Sequence, residues 1–341
     1  MSAAMSAGRM PGPGTISLRV PGRICLFGDK IDIAHKPVIA AAIDMFMSVE
    51  AAHARGREVT LYSHDYDETE RFEIGDQPDI TGHMKYVQAA AWLLRERLEA
   101  GFSMRFSSGI PIEAGLSTSA ALTVGAIMAL DELFGLGMRL NEIAETAYVA
   151  EHDVCGISCG RMDQYAIAHG GVTFITTGQP ASAEVLPIDE LPVVVGDSDE
   201  PRHASEVLSR TRRRLEEGDP VVLDAFERLH QYTLAGREAL VAGDGPRIGE
   251  LMTRSQVQEK RIGASTPKIE RLCATSVEAG AHGAKQMGAG GGGCIVAYCP
   301  GRQEEVAAAI EGEGGVPYIC DIFRWATAAD ARVGSGDESR A

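Results

Sequence analysis

From Thr15 onward, short β-branched runs alternate with turn residues, and TISLRV, RICLF, PVIAAAI, MSVEAAHA, EVTLYSH and ERFEI read as strands. KYVQAAAWLLRERLEA then puts Val87, Ala90, Leu94 and Leu98 on one side, the spacing of an amphipathic helix. FSMRFSS predicts a strand, and SAALTVGAIMALDELFG predicts a helix so apolar that it must be buried. NEIAETAYVAEHDV predicts a helix begun at its asparagine, followed by the strand GVTFIT. Beyond about residue 185 the pattern changes. LPVVVGDS reads as a strand, and long charged helices follow through SRTRRRLEEG, DAFERLHQYTLAG and IGELMTRSQVQEK. STPKIERLCATSVEAGA carries a helix start, with Thr266 as cap and Pro267 in the first turn. Strand, glycine loop, strand (AKQM, GAGGGG, CIVAYC), a helix from Arg302 and a last strand VPYICDIFRWA complete the pass. Strands first and a helix-rich α+β half second predict two domains, 15–184 and 185–327. The small and polar stretches 1–14 and 328–341 are expected to be a disordered leader and tail.

Composition narrows the function. A chain of 341 residues, 45% hydrophobic, can bury one large core or two ordinary ones. Its formal charge of -16 excludes a general nucleic-acid face, which needs clustered cations, but not a nucleotide held by a few placed groups. Seven scattered cysteines without a CxxC pair suit a reduced, cytoplasmic protein. No stretch is long and apolar enough to span a bilayer, so neither nucleic acid nor membrane is expected as a partner.

Three motif matches test chemistry. GAGGGG fits GxGxxG at Gly288, Gly290 and Gly293, yet a strand follows where a dinucleotide site needs an opening helix. GISCG fits GxSxG at Ser158, but a helix precedes it where the hydrolase elbow needs a strand. In EAGLSTSAALTVGAIMAL, a glycine and three hydroxyls stand at the mouth of a helix. That is more capping oxygen than a helix start uses, and the amides there form an anion site. Phosphates with a hydroxyl-bound Mg2+ would employ all three hydroxyls. Glu151 and Asp163, flanking the small CGISCGRM turn, and Arg23, between a turn and an apolar strand, supply the acid and cation that phosphoryl transfer needs.

Taken together, these motifs resemble the GHMP kinases, and within them the galactokinase branch. GRICLFGDKIDIAHKPVIAAAID is similar to that branch's GRxNLIGEHxDYxxGxVLPxAID, PIEAGLSTSAAL to the family's phosphate loop, and AEHDVCGISCGRMDQ to A-E-H-x-x-x-G-x-x-C-G-x-M-D-Q. GAKQMGAGGGGCIVA resembles the third, glycine-rich motif. The resemblance implies an α+β fold, with a ribosomal-S5-like N-terminal domain, a ferredoxin-like C-terminal domain and the active site between them. It implies ATP as co-substrate and Mg2+ as cofactor. Asp163 would be the catalytic aspartate and Arg23 its charge partner. Gly115, Leu116, Ser117, Thr118, Ser119, Ala120 and Gly290 would contact ATP, and Ser119 and Glu151 would hold the metal. Asp29, Lys30, Asp32, Gly160 and Asp163 would line the acceptor site.

Where that branch has Glu-His-x-Asp-Tyr, this chain has Asp29, Lys30, Ile31, Asp32 and Ile33, and Lys36 and Arg161 add cations nearby. The expected activity is therefore phosphorylation of a sugar at its anomeric hydroxyl, the sugar being neutral or anionic, such as a sugar phosphate or uronate. A non-sugar acceptor of the mevalonate or homoserine type, and a catalytically silent sugar-binding regulator, stay open as alternatives. The expected assembly is a monomer or homodimer binding only small molecules.

Overall fold

A computed structural model describes residues 14–111, 114–201 and 204–325. Apart from Gly14, the expected leader and tail lie outside the described residues. The strands and helices run β1 (Thr15–Phe27), β2 (Val38–His53), β3 (Glu58–Ser63), β4 (Glu68–Glu73), α1 (Lys85–Leu94), β5 (Phe102–Ser108), α2 (Thr118–Phe134), α3 (Leu140–Val149), α4 (Met162–His169), β6 (Val172–Thr176) and β7 (Ser182–Val185). After these come β8 (Val193–Asp197), α5 (Ala204–Glu216), α6 (Pro220–Ala242), α7 (Gly245–Arg261), α8 (Pro267–Glu278), β9 (Gly283–Gln286), β10 (Cys294–Tyr298), α9 (Gln303–Gly312) and β11 (Val316–Cys320).

The first sheet is organised by β2. It pairs with β1 along most of its length, from Thr15 opposite Ala52 to Phe27 opposite Ile39. Its other edge is shared, Met47 to His53 pairing with β5 and Val38 to Ala41 with β6. β3 joins β5 in parallel, and the remaining pairs are antiparallel. Helix α2 lies across this sheet and is buried from Ala120 to Asp131, as its uninterrupted apolar run requires. It comes close because residue 125 is glycine: a Cβ there would stand 2.8 Å from Val20 Cγ2 and 3.0 Å from Val49 Cγ2. The second sheet has the order β11-β8-β10-β9, all antiparallel, with α8 and α9 packed on it. That order, with a helix before β9 and another before β11, is the ferredoxin-like arrangement.

Helix starts follow the chemistry of their residues. Thr266 Oγ1 accepts from Ile269 N with Pro267 at the first position, and Asp219 does the same for Val221 N ahead of α6. Four expectations shift. Helix α1 stops at Leu94, where Arg95 folds back over the Trp92 ring and donates to the Trp92 carbonyl. Asn141 does not begin α3, since the cap is Arg139 and the Asn141 amide oxygen meets His169 instead. The same helix widens into a π turn over Ala150–Val154, a distortion that carries Glu151. Finally, β11 ends at Cys320, and Asp321 to Trp325 return to the first sheet. There Phe323 N donates to Ala42 O (2.9 Å), Gly171 N to Phe323 O (2.7 Å) and Trp325 Nε1 to Ile167 O (3.3 Å). Among the described residues no helix is long and apolar enough to cross a membrane.

The two sheets are locked by charges sealed from solvent. Asp29, in the turn after β1, pairs with Lys285 of β9 at 2.5 Å, and both side chains are fully buried. The other Asp29 oxygen accepts from Gly288 N at 2.6 Å, and Lys285 also donates to Cys25 O at 3.2 Å. Beside them Lys30 pairs with Glu259 of α7 at 2.5 Å and donates to Gly288 O at 2.8 Å. Burial works against the Lys285 ammonium, but Asp29 more than compensates and raises its pKa. Burial pushes the Glu259 carboxyl up to about 7, with Lys30 opposing it. Removing one partner of such a pair strands the other charge. Lys285→Met is expected to cost about 3–5 kcal/mol in chemical denaturation, and the double variant Asp29→Asn/Lys285→Met to recover much of that loss.

Candidate active site

Arg23 sits on β1, where the strand runs beneath the glycine-hydroxyl loop. Its amide donates to Leu116 O (3.1 Å) and its Nη1 to Gly115 O (2.8 Å), so strand and loop are tied together. Its remaining guanidinium edge grips Asp163, Nε to Oδ1 at 2.7 Å and Nη2 to Oδ2 at 2.8 Å. This bidentate fork fixes both the position and the plane of the carboxylate. Asp163 stands in the first turn of α4, and Oδ2 also accepts from Ser117 Oγ at 2.5 Å.

None of the three loop hydroxyls caps α2. Ser117, the residue at the cap position, has φ 66 and makes no side-chain bond to the helix. Thr118 Oγ1 turns to Pro111 O at 3.4 Å, and Ser119 stands near the Glu151 carboxyl. Among the described residues no side chain is bonded across the amides at the helix mouth, and its positive end can face an anion.

Glu151 is 3% exposed, and the polar side chains of Gln164, Thr123 and Ser119 stand near it and favour its charged form. Burial, reinforced by the charge of Asp163, raises its pKa to about 7. Its Oε1 is buried without a hydrogen-bond partner among the described residues. An orphaned carboxylate oxygen with a serine hydroxyl nearby is a donor set that fits a Mg2+. Among the described residues no group of three or more His, Cys, Asp or Glu side chains converges as a metal site.

A cavity of about 500 Å3 extends from this cluster. Arg23, Asp163 and the loop from Ser117 to Ser119 border one part of it, and Tyr66, His83 and Lys85 border another. The Tyr66 and His83 rings stack at 4.0 Å with 11° between their planes. Sequence reading missed this wall, along with Gln164 and Thr123, because aromatic and hydroxyl residues in loops and helices carry no local signature of a site.

Other sequence-derived residues are placed differently. Asp32 lies close to Asp163 and is 8% exposed, and burial reinforced by that neighbour raises its pKa to about 6. Gly160 was expected to receive an acceptor against its backbone, but a Cβ there would run into Asp32 Oδ2. The glycine makes room for that carboxylate. Asp29 and Lys30 were expected to line the acceptor site, yet both are spent on the junction between the sheets, where buried charges must find partners. The two remaining cations are also engaged: Lys36 pairs with Glu227 at 3.0 Å, and Arg161 forks onto Glu145 at 2.8–2.9 Å while stacking on Tyr148. Gly290 does not border the cavity, because it packs on the Ala264 carbonyl and the Gln286 amide.

Comparison with known proteins bears on this geometry. Residues 85–171 match the family pattern described as "GHMP kinases N terminal domain", and 237–315 match "GHMP kinases C terminal". The mevalonate kinase of Pyrococcus furiosus is 33% identical over 321 residues, 89% of this chain and 95% of that relative. The galactokinase of Thermococcus kodakarensis is 29% identical over 310 residues, 81% and 87% of the two chains. Among solved structures, the Methanococcus jannaschii mevalonate kinase superposes with a TM-score of 0.77 at 22% identity, covering 92% of this chain and all of that one. The expectation of a sugar phosphorylated at its anomeric hydroxyl is therefore corrected, since the mevalonate kinase exceeds the galactokinase in both identity and coverage. The residues behind that expectation serve packing: Asp29 and Lys30 face the junction, and Gly160 faces Asp32.

The elevated Asp32 carboxyl makes stability depend on pH. Between its ordinary value near 3.8 and its folded value of about 6, the folded chain holds a proton that the unfolded chain releases, so stability falls as pH rises through this window. Asp32→Asn should melt higher than the parent at pH 7.5, by up to about 3 kcal/mol in stability, and the difference should close as the melt is repeated toward pH 4.

Proposed function

The chain belongs to the GHMP kinases, and we propose from that premise that it transfers the terminal phosphoryl group of ATP to a hydroxyl of a small non-sugar acceptor of the mevalonate type. The observation that carries this reading is the joining of Arg23, Asp163 and Ser117 at the mouth of an uncapped helix, in a chain aligned nearly end to end with a mevalonate kinase.

The division of labour follows from the geometry. The amides of residues 118–120 and the helix dipole would receive the polyphosphate. Ser119 and Glu151 would hold Mg2+, which when bound offsets charge on the phosphates. Tyr66 and His83 provide a flat apolar wall suited to the nucleotide base. Asp163 would receive the acceptor hydroxyl, orienting it and taking its proton as the new bond to phosphorus forms. Arg23 holds that carboxylate in place, and its charge lies beside the group in transit. Asp32 and the neighbouring Cys159, both close to Asp163, form the rest of the acceptor's surroundings. Little covalent work is asked of the protein, so orientation and fixed charge carry the rate.

Purified protein given ATP and Mg2+ should release ADP fastest with mevalonate in a panel that also contains 5-phosphomevalonate, homoserine and galactose. Asp163→Asn should lower that rate by roughly 10²–10⁴-fold while leaving nucleotide affinity near the parent value by calorimetry. Preferred turnover of galactose, or a fully active Asp163→Asn, would overturn the assignment.

A further inference from the structure

Ser117 occupies an unusual position for a serine at a helix start. A capping serine is extended and turns its oxygen onto the helix amides. Ser117 has φ 66 and ψ 46, a left-handed conformation in which a residue with a Cβ is strained and glycine is not. Its hydroxyl ignores the helix and crosses to Asp163 Oδ2 at 2.5 Å, and the residue is 8% exposed. The chain keeps a side chain where glycine would cost less, and that side chain makes one bond, to the base of the proposed reaction.

That bond closes a ring. From Asp163 the path runs through the Arg23 guanidinium to Gly115 O, along the backbone to Ser117, and back through its hydroxyl to the same carboxylate. Arg23 holds Asp163 from the strand below. With Ser117, the carboxylate is also held from the loop that faces the phosphates, and the two cannot shift independently.

We propose that Ser117 is a positioning residue, whose hydroxyl orients the Asp163 carboxylate and makes the base and the phosphate loop one rigid unit. The assignment rests on the kinase reading above. It differs from the role expected from resemblance, in which Ser117 contacts ATP. A phosphate-binding hydroxyl would act on nucleotide affinity, whereas an orienting one acts on the chemical step with both substrates bound.

The test compares Ser117→Gly and Ser117→Ala with the parent in steady-state ADP release, alongside nucleotide affinity by calorimetry. Glycine suits the backbone at this position, so folding should survive, and a thermal melt checks it. Alanine keeps the Cβ and lacks only the hydroxyl, so it separates loss of the bond from loosening of the loop. Both variants should lose about 10–100-fold in kcat with KM for ATP and nucleotide affinity changed less than twofold. In an Asp163→Ala background, single-turnover rates should be the same with serine or glycine at 117, because the partner through which the hydroxyl acts is gone. A rise in KM for ATP at unchanged kcat, a loss confined to the glycine variant, or a loss that persists in the Asp163→Ala background would each overturn the proposal. If the parent itself releases no ADP with any acceptor, the kinase reading falls and takes this assignment with it. That outcome is distinct, because it is seen in the parent and not in a difference between variants.

Discussion

Everything at the active site hangs on a pair of charges that water cannot reach. Asp29 lies in the turn that follows the strand carrying Arg23, and it is wholly buried against Lys285 in the other sheet. A carboxylate in that position is tolerable only when its counter-ion is in contact, so the turn after β1 has one place it can sit. Lys30 and Glu259 repeat the arrangement alongside. With the turn fixed, the register of β1 against β2 sets where Arg23 emerges, and Arg23 in turn sets the loop above it through Gly115 and Leu116. The precision needed at Asp163 is thus borrowed from an ion pair that does no chemistry.

The acidic groups near the centre show a second constraint. Glu151 and Asp32 both feel the charge of Asp163 and both are buried, and their carboxyls are pushed up to about 7 and about 6. Three acids in so small a volume repel, and Arg23 answers only one of them directly. The unmet demand falls on Glu151, whose Oε1 has no partner among the described residues. A site in this condition favours a ligand that arrives with a divalent cation over one that arrives as a bare anion. The electrostatics and the uncapped helix therefore point the same way.

Much of this was legible in the residues. The alternation of short strands, the uninterrupted apolar run of α2, the Thr266-Pro267 helix start and the oversupply of hydroxyls ahead of α2 are local patterns with local causes, and each has its counterpart in the structure. Arg23, Asp163, Ser117, Ser119 and Glu151 are drawn to one place from four separate segments. What could not be read was which partner a charge would choose. Lys30 and Lys36 looked alike as cations near a pocket, but one is buried against a helix more than two hundred residues away and the other sits on the surface beside Glu227. Gly160 offered the same ambiguity, since a bare backbone can admit a ligand or a neighbouring side chain. Pairing of that kind is decided by the assembled fold. Acceptor identity was misjudged for this reason, because the inference leaned on side chains whose job turned out to be holding the molecule together.

The return of Asp321 to Trp325 onto the first sheet has a consequence for how the protein is made. Ala42 and Gly171, residues from the early and middle parts of the chain, complete their backbone bonding with Phe323. The Ile167 carbonyl, in the helix that bears Asp163, is met by Trp325. Those bonds can form only after more than three hundred residues have been synthesised. Until residues 321–325 are laid onto it, the first sheet and the helix that bears Asp163 lack bonding partners that they have in the folded chain.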